Sequence, residues 1–364
     1  MTLENVPEWL TSWEKFRREY NESLKEQIGL DAVSNNGGGV DIAVVDTAYT
    51  AEGIEKDISV GNSEDFSEIG DETHKEYSHG TRVLSVLSAI IPNAEYYIYR
   101  VKAARKLVYD SAGQRDQTDI DLSNSSGEAN KRILLAIEQA IEDEVDIINL
   151  SCGVFHASCE NCVFEKAIEE AHRAGIIVVS AIGNESERRG DHVLCPALSD
   201  GSLSVGGMVN YCNADFEHHT SDRRIWADVR TPESGITRQG PFCSTQGCAP
   251  GYDCDENCDQ KWWDGNIRHF GGNPQVLAPA HRPEIRYGRL VVFSPGTSFA
   301  TPITAGTIGR ILASDRATDH DVEQVKQALL QSGTEISNGD GASATSINAE
   351  GALSTINEIH QEDD

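Results

Sequence analysis

Three polar residues in this 364-residue chain have the types needed for hydrolysis by an activated hydroxyl. Asp46 ends the run Ile42-Ala43-Val44-Val45-Asp46, His79 stands in Ser78-His79-Gly80-Thr81, and Ser298 stands in Gly296-Thr297-Ser298-Phe299. A serine hydroxyl is a poor nucleophile at its free pKa. It needs a base within hydrogen-bond reach and a third group that orients the base. Serine, histidine and aspartate can fill those roles in that order. Taken singly, each residue has an ordinary explanation: a strand-terminal Asp is often a helix cap, and a lone His is often a satisfied core residue.

The elements that must position them can be read from the apolar pattern. Val40–Val45, Tyr96–Val101, Val145–Leu150 and Ile176–Ser180 are short apolar runs that read as buried strands. Between them, one predicted helix covers about residues 128–143, with Ile133, Ile137, Ala140 and Ile141 on one face. Another aligns Phe164, Ala167, Ile168 and Ala171 and stops at Gly175. Strands alternating with helices predict an α/β fold, a three-layer sandwich around a mostly parallel sheet. Sites in such folds form at the carboxyl ends of the strands, where Asp46 lies. Gly80-Thr81 and Gly296-Thr297 each open an apolar helix, so His79 and Ser298 face the positive end of a helix dipole.

The order Asp, His, Ser and the segments VVDTA, SHGTRV and GTSFATP resemble the subtilisin-like serine proteases (subtilases, peptidase group S8). The 33-residue interval from Asp46 to His79 is typical of that family. The resemblance runs from about residue 27 to 330 and implies a serine endopeptidase. In that reading Ser298 is the nucleophile, His79 the general base and Asp46 its orienting carboxylate. Ser180–Asn184 resembles the segment bearing the oxyanion-hole asparagine, which makes Asn184 the side-chain donor and Gly183 its neighbour in the cleft. Asn149–Gly153 resembles the substrate strand, where Ser151, Cys152 and Gly153 would pair an extended peptide by strand addition. Two departures stand out. Arg82 replaces the family's second histidine, and Val154 occupies the place of a second glycine, which reshapes the specificity pocket. Cys152 is either an oxidant-sensitive thiol or a small buried hydrophobe.

Composition sets limits on partners. With 59 acidic and 30 basic side chains the formal net charge is −29, and only 10 of the basic residues are Lys. That excludes a phosphate-neutralising surface for nucleic acid and a polybasic membrane anchor. No apolar run approaches the roughly 20 residues of a spanning helix. The expected partner is therefore a protein or peptide substrate. The N-terminus shows no basic-then-apolar signal, so a cytoplasmic location is expected. The acidic, Lys-poor surface is read as an adaptation to concentrated salt, of the kind found in halophilic archaea.

Expected boundaries are an extension at 1–26, a catalytic domain at 27–355 with an irregular Cys-rich insertion at about 210–273, and an acidic tail at 356–364. Trp9 and Trp13 in the extension either cover the cleft or are ordinary core. Nine cysteines, an odd number, leave at least one outside any intramolecular disulfide. Cys159 and Cys162, together with Cys243, Cys248, Cys254 and Cys258, suit zinc or disulfides. His218, His219 and His269 are available as added ligands. Asp110, Asp116, Asp119 and Asp121 form either a calcium loop, as the resemblance allows, or a solvated loop. The chemistry itself requires no cofactor.

Overall fold

Along the first strand, β1 (Asp41–Thr47), successive side chains are buried on both faces, as a strand covered by helices on each side requires. Ile42 and Val44 join one apolar cluster while Ala43 and Val45 join another. The computed structural model describes residues 24–26, 28–47, 49–50, 54, 57–67, 78–102, 126–155, 164–183, 194–212, 224–228, 258–262, 274–286, 290–314, 322–337 and 343–363. Within them β1 lies inside a 10-stranded sheet, third from the β2 edge. It pairs in parallel with β3 (Glu95–Lys102) and β4 (Ile147–Leu150). Beyond β3 lies β2 (Ser59–Asp65). Beyond β4 come β6 (Ile177–Ala181), β8 (Ser202–Cys212), β11 (Val276–Pro279) and β15 (Ser343–Ser346), each parallel to its neighbour. Only β14 (Glu335–Ser337) and β10 (Cys258–Trp262) run antiparallel, against β15 and β8.

Helices cover both faces, giving the predicted three-layer sandwich. On one face lie α1 (His79–Ile90), α4 (Thr297–Ser314), α5 (Val322–Ser332) and α6 (Ala349–Asp363), and on the other α2 (Ser126–Glu142) and α3 (Glu165–Arg173). On α2, Ile133, Ala136, Ile137 and Ala140 are buried at helical spacing while Lys131, Leu135 and Glu138 are exposed. On α4 nearly every described position is buried. Two glycines allow that helix to come in close. A Cβ at Gly306 would meet Ile90 Cγ2 at 2.7 Å, and one at Gly309 would meet Ile91 Cδ1 at 2.5 Å.

Some expectations need correction. The apolar run Leu290–Phe293 forms β13 (Leu290–Pro295), outside the parallel sheet. It pairs antiparallel with β12 (His281–Arg286) and with β9 (Arg224–Asp228) in a separate 3-stranded sheet. Only residues 287–289 separate β12 from β13, too few for the crossover that parallel pairing needs. The region about 210–273, read as irregular, contributes β9, β10 and the end of β8. β2 has an exposed, polar sequence, as an edge strand can, and so carried no apolar signal. Residues 356–363, expected as an acidic tail, continue α6, and Ile356 is buried on it. Leu24, inside the expected extension, is also buried. Trp9 and Trp13 lie outside the described residues.

Candidate active site

Asp46 lies on the same face of β1 as Ile42 and Val44, the face that α1 covers. That alternation places the carboxylate, 1% exposed, against the start of α1. Ser78 caps the helix: its side chain accepts the Thr81 backbone N–H at 3.2 Å. His79 is the first helical residue, and its Nδ1 lies 2.8 Å from Asp46 Oδ1 and 2.9 Å from Oδ2. A carboxylate can only accept, so Nδ1 carries the proton and Nε2 is left as the basic nitrogen. The His79 side chain is 30% exposed, in contrast to the buried carboxylate that holds it.

Thr47, missed at the level of sequence, joins the two partners. Its N–H donates to Asp46 Oδ1 at 2.6 Å, and its Oγ1 accepts the Gly80 N–H at 2.7 Å. Gly80 N–H is one of the first-turn donors that has no partner within the helix, so a hydroxyl on a neighbouring strand is its natural acceptor. Thr81 in turn accepts the Thr50 N–H at 3.0 Å. The DT and SHGT segments could have suggested these contacts, because Ser and Thr at such junctions commonly satisfy backbone donors.

Ser298 is the second residue of α4, so its backbone N–H is also free of an intrahelical partner. Its hydroxyl donates to the Ser151 carbonyl at 3.0 Å. The expected bond to His79 is therefore not the one the hydroxyl makes here. Next to it, Thr297 Oγ1 accepts the Gly183 N–H and donates to the Gly183 carbonyl, both at 3.2 Å. Gly183 has φ +104°, a conformation that favours glycine. Asn184, the next residue, lies outside the described residues. Thr297 thus joins α4 to the segment that leads to Asn184.

Ser151, Cys152 and Gly153 follow β4, and Ser151 Oγ accepts from the buried Asn149 amide at 3.0 Å. Cys152 is a buried thiol that donates to the Val45 carbonyl at 3.3 Å and belongs to the cluster on the α2 side. Its side chain faces the core, so only its backbone can meet a peptide. A Cβ at Gly153 would lie 2.4 Å from the Cys195 carbonyl, which explains the glycine. Val154 and Phe155 (β5) pair antiparallel with Cys195 and Leu194 (β7) at the base of this segment. Among the described residues no group of His, Cys, Asp or Glu could hold a metal. Asp110, Asp116, Asp119 and Asp121, with Cys159, Cys162, Cys243, Cys248, Cys254, His218, His219 and His269, lie outside them.

The profile of the Subtilase family, peptidase group S8, matches residues 37–348. The chain belongs to the subtilase family. It is a subtilisin-like serine protease, a hydrolase acting on protein or peptide substrates. This subtilase is 24% identical over 342 residues to "Subtilisin" of Bacillus sp. (strain TA39), covering 86% of its own length and 69% of that relative. It is 22% identical over 308 residues to a thermostable alkaline protease of Halalkalibacterium halodurans, spanning 82% of its own length and 63% of the relative. Among solved structures it resembles the prenylagaramide maturation protease PagA, with TM-score 0.56 and 20% identity over 92% of this subtilase and 98% of that chain. It also resembles a lanthipeptide protease, with TM-score 0.58 and 16% identity over 98% and 100% of the two chains.

Proposed function

We propose that this subtilase is an endopeptidase that works through Asp46, His79 and Ser298, with Asn184 and the Ser298 N–H as oxyanion donors. The observation that carries the reading is the buried Asp46 carboxylate bound to Nδ1 of a histidine whose side chain is 30% exposed. An extended peptide lies along Ser151, Cys152 and Gly153, with Gly183 on its other side, and its backbone N–H takes the Ser151 carbonyl. That displaces the Ser298 hydroxyl, which turns to His79 Nε2; such bonds often tighten only when substrate is present. Ser298 Oγ then attacks the scissile carbonyl and Nε2 takes its proton. Asp46 steadies the imidazolium. Nε2 passes the proton to the leaving amine, and a water molecule repeats the sequence on the acyl-enzyme to release the acid. A donor such as Asn184 is worth about 3 kcal/mol in the transition state. The test is a fluorophosphonate probe followed by peptide mapping. The expected result is one adduct on Ser298, abolished by Ser298→Ala; a wild-type chain that stays unlabelled at every salt concentration overturns the reading.

A second reading narrows the substrate to one partner or peptide precursor. It is supported by the structural resemblance to PagA and to a lanthipeptide protease, and by Val154 where a wider pocket would hold glycine. A chain that degrades casein at many sites refutes this narrowing. Cleavage confined to one precursor supports it.

The charge of −29 supports two further proposals. Nucleic acid is not a partner, because the excess carboxylates repel phosphate. The surface is suited to concentrated salt, where charges that repel over a longer range in dilute buffer are screened. The melting midpoint should fall steeply as salt is withdrawn, and a chain equally stable in dilute buffer refutes the salt adaptation. No cofactor enters the hydrolysis, so a chelator should leave kcat unchanged. A loss of stability with chelator would instead point to structural calcium at Asp110–Asp121 or zinc at the cysteines.

A further inference from the structure

Asp46 holds His79 at one edge only. Both carboxylate oxygens approach the same nitrogen, at 2.8 and 2.9 Å, which anchors Nδ1 but leaves the tilt of the imidazole about the Nδ1–H axis, a small concerted motion that includes the Cβ–Cγ torsion, weakly defined. That torsion is broad and roughly two-fold in a free side chain. Hydrolysis needs Nε2 aimed at Ser298, so the remaining tilt of the ring has to be set by contacts beyond the Asp46 bond. The ring of Phe299, the residue after the nucleophile, is 3% exposed, and its centroid lies 6.2 Å from that of His79 with 30° between the planes. The guanidinium carbon of Arg82 lies 5.9 Å from the same Phe299 centroid. Arg82 follows His79 by three positions on α1, so the two share a face of the first turn. One aromatic ring on α4 therefore meets both the imidazole and the guanidinium of a single turn of α1. Offset aromatic pairs and cations on ring faces each prefer a defined orientation, which apolar contact alone does not impose.

We propose that Phe299 is a positioning residue that sets the plane of the His79 imidazole, and that Arg82 holds the Phe299 ring in place. The proposal rests on the triad reading above and adds a reason for the arginine at residue 82. The guanidinium of Arg82 pins the ring from the helix that carries the base, and Phe299 carries that constraint to the imidazole from the helix that carries the nucleophile.

The experiment is a double-mutant cycle on the full chain with a short peptide substrate, reading kcat and KM separately and recording the melting midpoint. Phe299→Leu should lower kcat by about ten- to a hundredfold with KM unchanged within about twofold, the scale on which a small misplacement of a catalytic group is felt. Phe299→Tyr should restore kcat to within about threefold of wild type. In a His79→Ala background the same Phe299→Leu change should alter the residual rate by less than about twofold. Arg82→Met should lower kcat by about three- to tenfold, again only when His79 is present, while Arg82→Lys keeps most of the rate. An equal loss with and without His79 would show that Phe299 acts on Ser298 or the pocket and would overturn the proposal. So would a rise in KM at constant kcat. If Phe299→Leu does not fold, the Arg82 variants carry the same cycle. Failure of the triad reading is seen separately, as a wild-type chain that the fluorophosphonate does not label.

Discussion

The two faces of the sheet are both packed with helices, yet only one carries the helices of the proposed base and nucleophile. On the α2–α3 face the helices bury one stripe and turn the other side to water, as Ile133 and Ile137 against Lys131 and Glu138 show. On the α1–α4 face the helix bearing Ser298 is buried nearly all round, and α1 brings His79 to meet it. A reacting group at a helix terminus is held only as firmly as the helix beneath it. The nearly complete burial of α4 and its close approach to α1 through Gly306 and Gly309 fix the relation of the two termini. The other face supplies apolar burial without fixing any reacting atom.

The difference is sharpened most by deleting the nucleophile. Ser298→Ala should remove activity by about a million-fold, the scale known for subtilisin itself, with an unchanged melting midpoint. A large loss of stability would show that the hydroxyl is part of the packing. Next in size is Ile137→Ala on the face without the site, expected to cost about 2–5 kcal/mol in denaturant unfolding while kcat well below the transition stays constant. A smaller substitution on the other face should do the reverse in proportion. Gly306→Ala forces one methyl against Ile90 and should cost about 1–3 kcal/mol, with kcat falling as α4 shifts. Equal effects of these two changes on kcat would break the distinction between the faces.

The smallest effect is expected at Tyr99, on the α2 side, whose hydroxyl donates to Asp143 just past the end of α2. Burial pushes the Asp143 carboxyl up, but donations from Tyr99, Asn62 and Gln139 more than offset it, leaving it below its ordinary 3.8. A carboxyl depressed in this way contributes stability that is complete above pH 3.8 and is lost as pH falls through the folded value. Tyr99→Phe should therefore cost only about 0.5 kcal/mol at neutral pH, because the Asp143 carboxylate that accepts the bond is partly exposed. It should also lessen the drop in stability between neutral pH and pH 3. An unchanged acid limb would mean that Asn62 and Gln139 suffice without the phenol.

Much of this was legible in the sequence for identifiable physical reasons. β1, β3, β4 and β6 are buried on both faces and so appear as unbroken apolar runs, and His79 and Ser298 lie at helix starts marked by small and hydroxyl residues. The antiparallel β12–β13 pair was not legible, because its apolar run looks like any buried strand and only its short connection sets its direction. β2 gave no signal because an edge strand can be polar. The roles of Thr47 and Thr297 depend on contacts between segments far apart in the chain, such as Thr297 with Gly183 across 114 residues. No local pattern encodes those contacts.

The burial of α4 also bears on how the enzyme fails. Backbone amides open to solvent exchange most slowly where opening requires the whole domain to come apart. Those of α4 should be among the last in the molecule to exchange, ahead of which the half-exposed α2 and α3 would open. The serine thus rides on a slow-opening unit, and partial unfolding of the outer helices leaves it in place. Heat inactivation should then follow the rate of global unfolding, with little activity lost beforehand.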